Sequence, residues 1–182
     1  SMMFIILPRA SVSADRIHEV LSTNPHILDP KDAKKFAEPF KGEIEFRNVS
    51  FRYPGGDIDA VQNVSFVAKP GQTTAFIGST GAGKSTIVNL IPRFYEDSDG
   101  SIFIDGIDIR DVKQHDLRDK IGYVPQKSAL FSGTIESNLL YADKNATNDM
   151  LQSAIEISQA KEFVNEKPEE MQTEIAQGGG NV

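Results

Sequence analysis

The segment from Gly78 to Ser85 constrains the possible folds of this chain more than any other part of its sequence. It reads GSTGAGKS and fits the pattern G-x-x-x-x-G-K-[ST] at every fixed position. The run before it, residues 73–77, is β-prone and largely apolar, whereas residues 85–91 repeat apolar side chains at helical spacing. A strand, a glycine-rich loop and a helix in this order predict a P-loop, and a plain glycine-rich turn before an ordinary helix is the alternative.

The residue types of this loop suit a nucleotide polyphosphate. Glycine reaches φ > 0 and admits a ligand close to the backbone, so the loop N–H groups can point at anionic oxygens beside a helix N-terminus. Lys84 is then expected to meet the β- and γ-phosphates, and the Ser85 hydroxyl to ligate Mg²⁺. The predicted nucleotide-binding residues of the loop are Gly78, Ser79, Thr80, Gly81, Ala82, Gly83, Lys84, Ser85 and Thr86.

Composition excludes several other kinds of site. The net charge of −7 at pH 7 disfavours nonspecific binding of nucleic acid by a basic surface. The absence of cysteine excludes disulfides and thiolate metal sites, and it favours a reducing compartment. A length of 182 residues fits one domain, or one domain with an appendage.

The N-terminal part of the sequence predicts a helix followed by a linker. Residues 2–7 are an apolar run too short to span a bilayer, which takes about 20 residues. We interpret them as the end of a longer apolar helix, and a segment packed on a core is the alternative. Residues 10–21 repeat apolar side chains on one helical face, and residues 31–41 read as a polar linker after two Pro-containing breaks.

The rest of the chain predicts an antiparallel β region beside the P-loop and a helical region after it. Alternating apolar residues with a one-residue phase slip indicate one long or two short strands over residues 42–53. Asp105-Gly106 between two apolar runs is a strong hairpin signal. Further strands are predicted at 63–69, 101–104, 107–109 and 121–124, and helices at 111–120, 134–141, 147–159 and 160–166, with Thr147 as an N-cap.

Five further motifs surround the P-loop in a fixed order. They are FRYPGG at 51–56, RFY at 93–95, IDG at 104–106, GYVPQ at 122–126 and LFSGTI at 130–135. In this combination they closely resemble the nucleotide-binding domain of exporter-type ABC transporters, and the resemblance extends from about Arg9 to the end of the chain.

The resemblance implies a role for residues outside the loop. Tyr53 matches the aromatic residue that stacks on adenine, and a tyrosine packed at the end of a strand is the alternative. Gln126 matches the Q-loop glutamine, which in the family contacts Mg²⁺ and the region of the γ-phosphate. The implied catalytic residues are therefore Lys84 and Gln126, the implied metal ligands are Ser85 and Gln126, and the implied cofactors are ATP and Mg²⁺. Residues 173–175 resemble, more weakly, the segment that precedes the family's signature motif.

The implied fold class is α/β. It consists of a P-loop NTPase core with an antiparallel β subdomain, incomplete, plus the start of the helical subdomain. Residues 1–36 would form the end of the last transmembrane helix and a linker, 37–132 the nucleotide-binding core, and 133–182 a partial helical subdomain. A sheet cut in this way should leave an unpaired edge and exposed apolar surface. The implied partners are a second nucleotide-binding domain and a transmembrane domain of the same chain, at the cytoplasmic side of the membrane, with no nucleic acid.

The sequence also departs from the family's pattern. The signature motif is expected at or right after Asn181-Val182 and is not completed, and the Walker B acids, the D-loop and the switch histidine do not occur in residues 1–182. Residues 102–105 imitate a Walker B strand, but glycine follows Asp105, so we interpret Asp105 as a turn residue. We therefore expect nucleotide binding without hydrolysis by this chain alone.

Two other functional classes are alternatives to the exporter domain. A P-loop GTPase requires an N-K-x-D guanine reader, and this string does not occur in the sequence. The other alternative is a regulatory module that binds ATP without hydrolysing it, and this functional class remains possible.

Overall fold

An antiparallel sheet is the framework on which the P-loop is mounted. In the computed structural model, which describes residues 3–127 and 129–180, its four strands pair in the order β2-β1-β3-β4. They are β1 (Ile44–Phe51), β2 (Val61–Ala68), β3 (Asp99–Ile104) and β4 (Ile107–Asp108). The chain divides into two compact units, residues 1–122 and 123–182, and the sheet belongs to the first.

The phase slip in β1 is a β-bulge. The pairing of β1 with β2 shifts its register between Phe46 and Val49, and both of these side chains are buried. Asn48, between them, adopts a φ of 48°. Gly100 of β3 lies so close that a Cβ there would stand 2.5 Å from the Asn48 carbonyl oxygen. The bulge therefore needs glycine on the facing strand, and it returns the apolar residues that follow it to the core side.

The predicted hairpin is confirmed. Asp105 and Gly106 join β3 to β4 with φ values of 49° and 77°. Two consecutive positive φ values are the mark of the two-residue turn that fits the twist of antiparallel strands.

One face of the sheet and two short helices enclose the core of residues 1–122. The P-loop helix α2 (Lys84–Leu90) and α3 (Gln114–Arg118) each contribute buried leucine or isoleucine side chains. Burying a side chain of this size contributes about 1.5–3 kcal/mol. The buried cluster consists of Phe46, Val49, Phe51, Val61, Ile87, Leu90, Ile102, Ile104, Ile109, Val112 and Leu117.

Two predicted strands are wrong. Residues 73–77 and 121–124 form no strand ladder with any other described residue. Each segment has one apolar side chain that is open to solvent, Ile77 at 96% and Val124 at 94% exposure, whereas Phe76 and Ile121 pack against the core cluster. A strand exists only when a neighbour accepts its backbone hydrogen bonds, and apolar β-prone composition does not supply that neighbour. The expected exposed apolar surface is confirmed at these two positions.

The N-terminal helix is longer than its apolar periodicity predicts. α1 spans Met3–Ser22 without a break, and residues 10–22 are exposed throughout. The predicted apolar face, which includes Ile17 and Leu21, is thus uncovered in the described part of the chain. No helix among the described residues has the length and apolar character needed to cross a membrane. The first two residues of the chain lie outside the described range, as do Asn181 and Val182, where the signature motif was expected.

The predicted polar linker is docked on the core rather than solvated. Phe36 and Phe40 are partly buried against the core cluster. The Lys34 ammonium lies 2.7 Å from a carboxylate oxygen of Asp111, and Lys120 lies 3.1 Å from Glu38. Two phenylalanines among many charged residues do not make an apolar repeat. Sequence periodicity therefore does not predict this packing.

Residues 123–182 form a small helical unit around a two-stranded ladder. β5 (Gly133–Thr134) pairs with β6 (Glu174–Ile175), and α4 (Ile135–Leu139), α5 (Asn148–Ile157) and α6 (Lys161–Asn165) follow β5 along the chain. Thr134 caps α4 and Thr147 caps α5 by accepting backbone N–H bonds, so the predicted N-cap at Thr147 is confirmed. Among its described residues, the buried apolar side chains are Leu151, Ile155, Val164 and Ile175.

A buried arginine ties the end of the P-loop helix to the rest of the first unit. Arg93 is 2% exposed. Its Nη1 donates to the carbonyl oxygens of Ile109 and Val112, both at 3.3 Å, and its Nη2 donates to the Leu28 carbonyl at 3.5 Å and to Glu96. One guanidinium thus satisfies backbone acceptors from the stretch that precedes the linker and from the segment before α3.

We expect Arg93→Ala to lower the free energy of unfolding by about 3 kcal/mol, because several buried carbonyl groups lose their donor. Urea denaturation of the 182-residue chain measures the change. Lys34→Ala is the matched control, since it also removes a cation from an ion pair, but an exposed one that contributes little to stability. Equal effects of the two substitutions would contradict the anchoring role of Arg93.

Candidate functional site

The loop between residues 78 and 85 has the backbone shape that its glycines predict. Gly81 and Gly83 adopt φ values of 85° and 81°, in the left-handed region. Gly83 directly precedes α2, and a Cβ there would stand 2.5 Å from Val61 Cγ1 and 2.7 Å from the Ala60 carbonyl oxygen. Position 83 therefore admits only glycine, and the loop is packed against the start of β2.

The Lys84 side chain bends back over the loop. Its ammonium donates to the carbonyl oxygens of Gly78 at 2.8 Å and Ser79 at 2.7 Å. The Ala82 N–H donates to the same Ser79 carbonyl at 3.2 Å and closes the turn. A positive charge is thus held at the loop by neutral carbonyl groups, which a phosphate oxygen can replace as its partner.

All but one of the loop residues predicted to bind nucleotide are at least partly exposed to solvent. Gly78, Ser79, Thr80, Gly81, Ala82 and Ser85 are exposed, and Gly83 and Lys84 are partly exposed. Thr86 is buried, with 6% of its surface accessible. Its hydroxyl oxygen lies 3.0 Å from the hydroxyl oxygen of Tyr53.

Tyr53 lies in the same unit as the loop, just after the end of β1. The residue is 37% exposed, and its ring stands nearly perpendicular to two neighbouring rings. The centroid distances are 4.7 Å to Phe51 and 5.1 Å to Tyr95. The structure therefore brings together the aromatic side chain and the P-loop helix, which lie more than thirty positions apart in sequence.

Tyr95 is a residue of this region to which the sequence analysis assigned no role. It belongs to the RFY motif at 93–95, one of the five motifs that carry the resemblance to the family. Its ring contacts both Tyr53 and Phe51. The sequence feature that could have indicated a role for Tyr95 is its position, since it is an aromatic residue directly after the turn that ends the P-loop helix.

Gln126 lies in the second unit and is exposed. The segment before it, residues 121–125, has no regular secondary structure. Glu174 of β6 is also exposed and belongs to the same unit. The roles that the resemblance implies for Gln126 stay predictions.

Asp105 is the turn residue that the sequence predicts. Its two carboxylate oxygens accept the backbone N–H groups of Lys41 at 2.8 Å and Glu43 at 2.9 Å. Partial burial acts to raise the pKa of Asp105, but the hydrogen bonds from Lys41, Glu43 and Gly42 outweigh it and lower that pKa. The carboxylate thus holds the linker to the hairpin.

Comparison with known proteins identifies the chain's relatives. The family model described as ABC transporter matches residues 61–179. An uncharacterized ABC transporter ATP-binding protein of Bacillus subtilis, YfiB, is 42% identical over 180 residues, which is 99% of this chain and 31% of YfiB. The ATP-dependent lipid A-core flippase of Pseudomonas aeruginosa is 40% identical over 143 residues, or 78% of this chain and 24% of the flippase.

A solved structure agrees with these matches. A bacterial Atm1-family ABC exporter with ATP bound superimposes with a TM-score of 0.88 at 30% identity, covering 100% of this chain and 31% of the exporter chain. The chain therefore spans about a third or less of the length of the relatives that it matches.

We expect Asp105→Ala to lower the free energy of unfolding by about 1 kcal/mol, because two backbone N–H groups lose their acceptor. Since the pKa of Asp105 is lowered by folding, its contribution is present above the ordinary aspartate pKa and is lost as the pH falls through the folded-state value. Nucleotide affinity should not change. Urea denaturation and titration with a fluorescent ATP analogue measure both effects, with the exposed Asp32→Ala as control. A tenfold loss of affinity would show that Asp105 belongs to the nucleotide site.

Proposed function

The chain belongs to the ABC transporter family, and from this membership we propose that it is the ATP-binding domain of an exporter. In the whole protein, binding and hydrolysis of Mg-ATP are coupled to the movement of a substrate across a membrane. The observation that carries the proposal is the Lys84 ammonium, bound by two loop carbonyls in a turn shaped by Gly81 and Gly83.

The residues present fit ATP. Exposed loop N–H groups and the Lys84 ammonium suit the negative charge of the phosphates, because charged hydrogen bonds are about twice as strong as neutral ones. Tyr53 is partly exposed and suits the base, since aromatic stacking accepts any base. All of these groups lie in the first unit of the chain.

A divalent cation fits the same site through the exposed Ser85 hydroxyl. No group of three His, Asp or Glu side chains among residues 3–127 and 129–180 is arranged to hold a metal ion by itself. Mg²⁺ commonly binds through one or two protein ligands together with substrate phosphates. When bound, it neutralises charge on the phosphates. We assign Ser85 and Gln126 as its protein ligands, Gln126 on the ground of its motif position.

Phosphoryl transfer requires little covalent chemistry from the protein. Positioning of the reactants and stabilisation of charge therefore supply most of the rate enhancement. Lys84 holds the terminal phosphates, and Gln126 is assigned, by its motif position alone, to the cation and the region of the γ-phosphate. General acid–base assistance is typically worth about 10²–10⁴-fold. The family's catalytic glutamate and signature loop do not occur in residues 1–182. The 182-residue chain therefore binds nucleotide without turning it over.

The proposed setting is the cytoplasmic side of a membrane. The partners are a second nucleotide-binding domain and a transmembrane domain of the same chain. Support comes from the relatives, whose names describe a flippase and an exporter with ATP bound. In this setting α1 connects the domain to its transmembrane part.

Replacing Lys84 tests the function directly. We expect Lys84→Ala to weaken binding of Mg-ATP at least tenfold, because the loop loses its fixed positive charge. Isothermal titration calorimetry of the wild type and the variant measures the effect. Lys144→Ala, an exposed lysine of the other unit, removes the same charge and should leave the affinity unchanged. Undiminished binding by Lys84→Ala would refute the assignment.

Phosphate release from the 182-residue chain is expected to stay at buffer background with Mg-ATP, even at high protein concentration. A colorimetric phosphate assay, run beside calorimetric binding on the same sample, makes the measurement. Hydrolysis over several turnovers would mean that a catalytic acid lies within residues 1–182 after all.

A further inference from the structure

The backbone N–H of Gly100 donates a hydrogen bond to the side chain of the residue before it. Its nitrogen lies 2.9 Å from Asp99 Oδ1, and Asp99 is exposed at the start of β3. From this contact we infer that Asp99 is a site of spontaneous covalent modification, where aspartate isomerises to isoaspartate through a cyclic imide. The inference concerns the covalent stability of the chain and does not rest on the proposed function.

The reaction needs only these two residues and water. The Gly100 nitrogen attacks Cγ of the protonated Asp99 side chain, the bond from nitrogen to Cγ forms, and the carboxyl hydroxyl leaves with the amide proton as water. The product is a succinimide ring, to which water then adds. Addition at Cγ restores aspartate. Addition at the main-chain carbonyl carbon of Asp99 breaks its bond to Gly100 and leaves the chain connected through Cγ, as isoaspartate.

The geometry brings the reacting atoms together. Atoms that react must approach to roughly 3–3.5 Å of each other, and a nitrogen held 2.9 Å from Oδ1 lies close to the Cγ atom that carries this oxygen. Gly100 has no Cβ to obstruct ring closure, and it adopts a φ of 88°. Because Asp99 is exposed, water can reach the ring once it has formed.

The same dipeptide occurs a second time in the chain, at Asp105-Gly106, in a different setting. The two carboxylate oxygens of Asp105 accept the backbone N–H groups of Lys41 at 2.8 Å and Glu43 at 2.9 Å. Attack on this carboxyl group would break both hydrogen bonds before a ring could close. The fold therefore protects Asp105, and the two Asp-Gly pairs form an internal comparison.

Isoaspartate at position 99 would lengthen the main chain by one carbon atom in a closely packed place. A Cβ on Gly100 would stand 2.5 Å from the Asn48 carbonyl oxygen, and the Ser98 N–H donates to the Ser50 carbonyl at 2.8 Å. The extra atom falls between these two contacts of β3 with β1. We therefore expect chains that carry isoaspartate at this position to unfold at a lower urea concentration.

Ageing the folded 182-residue chain in mildly acidic water enriched in heavy oxygen tests the inference, because hydrolysis of the ring adds one heavy oxygen. Trypsin in ordinary water then releases residues 94–110, a peptide that contains both Asp-Gly pairs, and tandem mass spectrometry locates the label. We expect label and isoaspartate at Asp99 to accumulate about fivefold faster than at Asp105, or more. Equal rates, faster reaction at Asp105, or no label at either position would overturn the inference.

The free peptide of residues 94–110, aged under the same conditions, is the unfolded reference. Its two Asp-Gly pairs should react at similar rates, because the peptide has no contacts with Lys41, Glu43 or β1. An equally strong preference for Asp99 in the free peptide would mean that the local sequence and not the fold selects the site. That result would also overturn the inference.

Two matched variants complete the test. Asp99→Glu keeps the charge but must close a larger ring, which forms far more slowly, so it should abolish label at position 99. Asp105→Glu should leave the rate at Asp99 unchanged. After ageing, the urea midpoint should fall for the wild type and not for Asp99→Glu. Isoaspartate that forms between residues 94 and 101 of Asp99→Glu at the wild-type rate would refute the assignment of Asp99.

Discussion

The close approach of Gly83 to the start of β2 is the constraint on which the rest of the site depends. No side chain fits between position 83 and the Ala60 carbonyl, and the backbone there is left-handed. The loop is consequently built onto the sheet, and α2 must begin at the next residue. From there the helix presents Thr86 to Tyr53, which continues from β1, the hydrogen-bonded neighbour of β2. The P-loop, the helix α2, the Tyr53 ring and the sheet are thus connected to one another by direct contacts.

The other end of α2 is fixed by a different kind of force. Glycine packing at the first end is steric and apolar, whereas Arg93 holds the second end through charge-assisted hydrogen bonds to backbone carbonyl groups. Burying an arginine is costly unless its donors are paired. Because its acceptors come from Leu28 and from the segment before α3, the helix is braced against parts of the chain that lie far from it in sequence.

The sequence was sufficient for features whose cause is local. Examples are the P-loop glycines, the Asp105-Gly106 turn and the Thr147 cap, each of which follows from the conformational needs of a few neighbouring residues. Features that depend on partners distant in sequence were either not predicted or predicted wrongly. Residues 73–77 and 121–124 have strand composition but no ladder in the described chain, and Arg93 is of a type that is rarely buried. The contact of Thr86 with Tyr53 joins residues 33 positions apart, which no periodicity can indicate. For the site, the loop geometry followed from the motif, while the relation of Gln126 to it stays a prediction.

The contacts of Ile27 and Leu28 set the length of the tether between α1 and the rest of the first unit. The helix ends at Ser22, the Ile27 carbonyl accepts a hydrogen bond from Gln114 Nε2 at 3.2 Å, and the Leu28 carbonyl accepts one from Arg93. A fully extended chain covers about 3.5 Å per residue, so the stretch from Ser22 to Ile27 reaches roughly 17 Å at most. A larger displacement of α1 would first break the hydrogen bond from Gln114, the first residue of α3, and then the one from Arg93. Tension on α1 would therefore act on α3 first and next, through Arg93, on the end of α2, the helix whose other end begins directly after the P-loop glycines.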